Sequence, residues 1–250
     1  MQRIVYFAKY QEEIVLEPHP VLTSDPGDAD LAATALIDSD HPAIVNLATE
    51  LAPPGPDSVA RAQKLYLSVR DGIRYDPYTL DLSTAGMRAS KTLTQAYGWC
   101  VPKATLLAAL CRAAGLPARV GYADVRNHFS TRRLRELLND DVYYWHSYTA
   151  IHLDGQWLKA TPAFDAKLCS LSGLTPLEFD GRNDSILQAY DNEGRRRLEY
   201  LRYVGEYQDV PLDEIRATFL EKYPRLVAQA GYSFQEEFAQ ERAARSGSSG

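Results

Sequence analysis

The residues of this chain best suited to chemistry are its three cysteines and five histidines. Cys100 stands in Tyr97-Gly98-Trp99-Cys100-Val101-Pro102-Lys103-Ala104, where a glycine-containing turn delivers a cysteine to the start of a helix. Pro102 suits a first helical turn, where its missing N–H costs nothing. A sulfur there faces unpaired backbone N–H groups and the positive end of the helix dipole. That setting favours the reactive thiolate, and the same N–H groups could hold a developing oxyanion. The competing reading of Cys100 is a small apolar core residue. Cys111 lies on nearly the same helix face, about 16 Å further along the axis, too far for a disulfide. Its neighbours Leu107, Ala108 and Leu110 mark it as core, and Cys169 is expected to pack in a loop.

A cysteine nucleophile needs a base. His146 sits in Tyr143-Tyr144-Trp145-His146-Ser147-Tyr148, a strand whose aromatic residues could wall a groove. Read alone it is a half-buried sheet histidine. His152 shares its strand face but stands ~20 Å away, so the two cannot share a metal. His41 reads as a helix-start residue, His19 lies in a proline-rich loop, and His128 suits a loop-ordering hydrogen-bond cluster. A third group would orient the histidine. Asp165, just past Gln156-Trp157-Leu158-Lys159-Ala160-Thr161, is the candidate; alone it reads as a solvated loop aspartate.

The elements that must position these residues follow from periodicity. Apolar residues at helical spacing predict helices over His41–Ala52, from Asp57 or Ser58 to about Ile73, and over Cys100–Ala114. Gly115 is a suitable residue after the last helical turn and Pro117 blocks continuation. Arg74–Ala96 lacks a sustained period and reads as loop. Short strands are expected at Arg3–Ala8 and Glu13–Leu16, then at Ala118–Val125, Val142–Leu153, Gln156–Thr161 and Leu198–Tyr207. Asp154-Gly155 between two of these is a strong hairpin signal. Helices near Leu212–Tyr223 and Phe234–Arg245 follow, then a linker-like tail, Ser246–Gly250. Helices followed by a mainly antiparallel sheet make the fold class α+β. The expected divisions are residues 1–56, strands and a helix of the same core, a catalytic core at 57–210, C-terminal helices at 211–245 and a tail at 246–250.

Composition narrows the function. Of 250 residues, 27 are Lys or Arg and 33 Asp or Glu, for a net charge of −6, which disfavours nucleic-acid binding through the phosphate backbone. Arg195-Arg196-Arg197 reads as a solvated face. The chain has no apolar run long enough to span a membrane and no signal-peptide pattern, so a cytoplasmic location and no membrane partner are expected. G-x-G-x-x-G, P-loop, G-x-S-x-G and C-x-x-C motifs are absent from the sequence.

Gly98-x-Cys100, the segment Leu110-Cys111-Arg112-Ala113-Ala114-Gly115-Leu116-Pro117-Ala118-Arg119, the strand histidine His146 and Gly155-x-Trp157 together resemble the transglutaminase-like superfamily of papain-type thiol enzymes. The resemblance covers about residues 60–170. Lys159–Phe164 and Leu177–Gly181 are similar to an uncharacterised bacterial branch of it. It implies a nucleophile-bearing helix packed on the sheet, with Cys100, His146 and an acid in that order. One departure stands out. Where the superfamily carries the aspartate of a D-P-T motif, this chain has Thr161-Pro162-Ala163, which leaves Asp165 or another residue to orient His146. Gln95, five residues before Cys100, lies near where papain-type enzymes place an oxyanion glutamine, though a surface glutamine would look the same. The implied activity is attack of Cys100 on an amide or peptide carbonyl through a thioester, with hydrolysis slightly favoured over transfer to an amine. No metal or organic cofactor is implied, and the substrate would be a peptide, protein or small amide. The alternative is an inactive binding or scaffold module that keeps the fold.

Overall fold

The computed structural model describes residues 24–128, 130–186, 193–194, 198–228 and 241–244. The strands expected at Arg3–Ala8 and Glu13–Leu16, most of the helix expected at Phe234–Arg245, the Arg195–Arg197 run and the tail lie outside these residues.

The first helix, α1 (Pro42–Leu51), begins as a proline at the first position predicts, and the His41 ring nitrogen accepts the N–H of Ala43 at 3.2 Å. In α2 (Ser58–Gly72) the cap is Asp57, accepting the Ala60 N–H at 2.8 Å. The stretch read as loop is more ordered than expected. It contains β1 (Arg74–Tyr75), α3 (Ala89–Gln95) and, directly after, β2 (Tyr97–Gly98). The two strands pair in parallel, Tyr75 opposite Gly98, and fix the turn that leads into α4 (Cys100–Ala113). Elements of two and seven residues are too short to leave a period in the sequence. The structure bears out Gly115 after α4, at φ +75°.

The rest of the chain builds the sheet and its covers. These are β3 (Ala118–Asn127), α5 (Arg132–Leu138), β4 (Val142–Leu153), β5 (Gln156–Ala160), α6 (Ala166–Ser172), β6 (Leu198–Tyr207), α7 (Leu212–Lys222) and α8 (Pro224–Val227). The helices α5, α6 and α8 had no counterpart in the sequence reading, and Cys169 lies in α6 rather than in a loop. The order β5-β4-β3-β6 is antiparallel throughout, so the fold is α+β as the residue pattern predicts. Asp154 (φ +47°) and Gly155 (φ +83°) close the β4–β5 hairpin in the left-handed conformation that Asp-Gly favours.

α4 is the axis of the molecule. Every residue from Cys100 to Arg112 is buried, so the helix is enclosed on all sides rather than amphipathic. Leu106, Leu107 and Leu110 are at most 1% exposed, and burial of each contributes about 1.5–3 kcal/mol. Its polar residues are satisfied internally. Lys103 Nζ donates to the carbonyls of Arg70 (2.9 Å) and Ile73 (2.5 Å) at the C-terminal end of α2. Arg112 donates to the carbonyls of Ala32, Ala118 and Gln208. Thr149 Oγ1 donates to the Ala104 carbonyl at 2.9 Å, which locks α4 onto the middle of β4. Among the described residues no helix is long and apolar enough to cross a membrane.

Candidate active site

The β1–β2 pair sets Cys100 at the first position of α4, with Trp99 in extended backbone immediately before it. The backbone N–H groups of Ser147, Val101 and Cys100 itself are directed at the sulfur and favour its anionic form. Burial opposes them and prevails, pushing the thiol up to about 11. The helix start does present donors to the sulfur, as its position in the sequence implies. The resting group is nevertheless a neutral thiol, because Cys100 is only 8% exposed.

Cys100 and His146 line one cavity of about 40 Å³. Its walls are apolar and aromatic: Tyr75, Trp99, Tyr143 and Tyr144 from the core, and Phe219 and Tyr223 from the C-terminal helices. Phe219 lies against Trp99, ring centroids 5.2 Å apart. The Tyr223 hydroxyl accepts from the Tyr144 N–H (2.8 Å) and donates to the Val142 carbonyl (2.7 Å). The indole N–H of Trp145 donates to Thr218 Oγ1 at 2.9 Å. The segment α7–α8, with Leu134 and Leu138 of α5, therefore roofs the cavity that holds the thiol and the imidazole.

His146 is aimed by a defect in the sheet. Ala123 pairs with His146 and Val125 with Tyr143, so Tyr144 and Trp145 together oppose the single residue Asp124. Trp145 carries this bulge at φ +61°, a conformation a bulky residue rarely adopts. Asp124 is buried; its Oδ1 accepts the Trp145 N–H at 3.2 Å and its Oδ2 receives Arg202 Nε at 2.8 Å. The sequence signal for this role was a carboxylate inside the apolar run Val120–Val125, a position that demands partners.

Asp165 stands just past β5, at the start of α6. Its Oδ1 accepts the Leu168 N–H and its Oδ2 the Tyr75 N–H, both at 2.9 Å, so it caps α6 and ties it to β1. Neither bond reaches His146. The nearby buried cation is Lys103, which burial lowers to about 7 against the opposing pull of Asp165 and Asp71. Thr161 shares a small cavity with His146, and its buried Oγ1 has no partner among the described residues. Gln95 Nε2 donates to the Tyr97 carbonyl at 2.9 Å. His128 bonds Glu199 at 2.7 Å, a loop-ordering contact as read from the sequence. Cys111 and Cys169 are fully buried.

Burial lowers the His146 pKa to about 4 from 6.5. Between those values the unfolded chain binds a proton that the folded one does not. Stability is therefore complete above about pH 6.5 and is lost as pH falls toward 4, a loss worth about 3 kcal/mol for this group. Urea unfolding at pH 7 and pH 4.5 should show this drop in the natural chain and a shallower one in His146→Gln. Equal drops in both would remove His146 as the cause.

Residues 45–162 match the model of a family described as the transglutaminase-like superfamily. No curated protein matches the chain. Among solved structures the chain is similar to a "putative cysteine protease" from Cytophaga hutchinsonii, at 18% identity and a TM-score of 0.45, over 76% of this chain and 50% of that one. It is also similar to a "putative protease" from Parabacteroides distasonis, at 18% identity and a TM-score of 0.36, over 56% of this chain and 27% of that one. The chain thus spans half or less of the length of these structures.

Proposed function

We propose that this chain, whose residues 45–162 match the transglutaminase-like superfamily, is a thiol enzyme that hydrolyses an amide or peptide bond through an acyl-enzyme on Cys100. The observation that carries the reading is the shared cavity of Cys100 and His146 at the start of α4. A neutral thiol beside a neutral imidazole favours proton transfer in step with attack over a resting ion pair. The Cys100 Sγ bonds to the carbonyl carbon while His146 takes the thiol proton. N–H donors at the start of α4 hold the oxyanion. His146 then gives its proton to the leaving amine as the C–N bond breaks, and a thioester remains. Water adds to the thioester, His146 removes its proton, and the acid departs with the thiol restored. The apolar, aromatic lining supports a substrate with apolar side chains next to the reacting carbonyl.

The test uses a panel of fluorogenic peptide amides with apolar residues before the scissile bond, together with mass spectrometry of the Cys100 peptide. The expected result is turnover, an acyl adduct on Cys100, no activity in Cys100→Ala, and a loss of about 100- to 10,000-fold in His146→Ala. The buried, un-ionised thiol favours one second reading, an inactive scaffold. Absence of turnover, with Cys100 alkylation identical in the natural chain and His146→Ala, would establish that reading instead.

A further inference from the structure

We propose that Thr161 is a positioning residue for His146, acting through one water molecule held in the small cavity that the two residues share. The inference rests on His146 serving as the base, and goes beyond that reading by naming what orients it. Thr161 is 4% exposed, and its main chain is already committed: the N–H donates to the Ser185 carbonyl at 2.9 Å, and the carbonyl accepts from the Tyr66 hydroxyl at 3.2 Å. Its Oγ1 alone is buried without a protein partner. A buried hydroxyl left so costs about 1–3 kcal/mol unless something satisfies it.

The cavity gives that something a place and a size. It has a volume of about 10 Å³, which is about the room one water occupies by this measure. His146 and Thr161 supply the polar side chains, and Ala163, Phe164, Leu177, Ile186 and Leu198 complete the lining. An ordered water needs two or more polar partners, and these two side chains provide them. The water accepts from the imidazole N–H on the side away from the thiol and donates to Thr161 Oγ1. That bond keeps the proton on the far nitrogen and the lone pair on the nitrogen facing Cys100, the tautomer a base requires.

Among the described residues that line the small cavity none carries a charged side chain. The titratable groups that face His146 from the larger one are Cys100 of α4, Tyr75 of β1, Tyr143 and Tyr144 of β4, and Tyr223 after α7. The two bonds of Asp165 run to the backbone N–H groups of Tyr75 and Leu168.

The experiment compares Thr161→Val and Thr161→Ser in the full chain. Nitrogen NMR of the His146 ring at pH 7 reads the tautomer directly, with or without turnover. The expected result is a single tautomer in the natural chain and in Thr161→Ser, and a mixture in Thr161→Val. Where turnover is present, kcat/KM should fall about 3- to 10-fold in Thr161→Val, the worth of one neutral hydrogen bond, and recover in Thr161→Ser. Valine matches threonine in shape, and an unchanged melting curve would exclude a folding defect. A Thr161→Val protein that keeps one tautomer overturns the proposal, whether or not the chain is an enzyme. A tautomer shift without any turnover upholds it and counts against the hydrolase reading alone.

Discussion

Phe219→Ala is expected to speed alkylation of Cys100 by iodoacetamide at pH 8 by about 10- to 100-fold, while Cys111 and Cys169 stay unmodified. With its pKa at about 11, roughly one Cys100 thiol in a thousand is ionised at that pH. Burial is the cause, and Phe219 is the roof side chain that lies on Trp99, the residue before Cys100. Trimming its ring admits water over the sulfur. A thiol brought back toward its free value near 8.5 would be about a quarter ionised, which sets the upper end of the range. The other two cysteines are internal controls, because both are completely buried far from the roof's edge in α4 and α6. Mass spectrometry of the three cysteine peptides separates the outcomes. Labelling of all three together would report unfolding, and an unchanged Cys100 rate would mean that α7 does not govern access. If the expectation holds, this segment governs access to Cys100.

The second large effect is expected at Asp124. If the proposed function holds, Asp124→Ala should lower kcat/KM about 100-fold, because small misplacements of a catalytic group carry penalties of that order. It should also cost about 1–3 kcal/mol of stability, the price of a buried N–H left without its acceptor. That N–H belongs to Trp145, which the carboxylate holds in the left-handed conformation next to His146. Arg202, the other partner, is 66% exposed along its side chain and remains hydrated when the carboxylate is gone. Asp124→Asn keeps an oxygen for the Trp145 N–H and should retain activity within about 3-fold. Steady-state kinetics and thermal melts on both variants check this. An alanine variant with unchanged kcat/KM would mean that the bulge is not what aims His146.

Much of the framework was legible in the residues. The start and end of α4, the Asp-Gly hairpin and the long strands of the sheet each follow from local chemistry: a proline tolerated in a first turn, a glycine at positive φ, β-branched and aromatic runs. The cysteine-then-histidine order also pointed to α4 and β4, and these two elements do pack together through Thr149. Other features left no local trace. β1, β2 and α3 are too short to show a period. The acid just after β5 had the right position in sequence for a third catalytic member, yet its oxygens serve backbone N–H groups of β1 and α6. An aspartate that orients a ring and one that caps a helix have the same signature in a single sequence.

What the sequence determined by itself was therefore the set of long elements and their order, since turn chemistry and hydrophobic period act between near neighbours. Tertiary structure alone decided the state of the site. The helix dipole argues for a thiolate at Cys100, and the roof of α7 and α8, more than a hundred residues further along the chain, reverses that balance by excluding water. Which side chains share the small cavity with His146 likewise depends on contacts that no local spacing encodes.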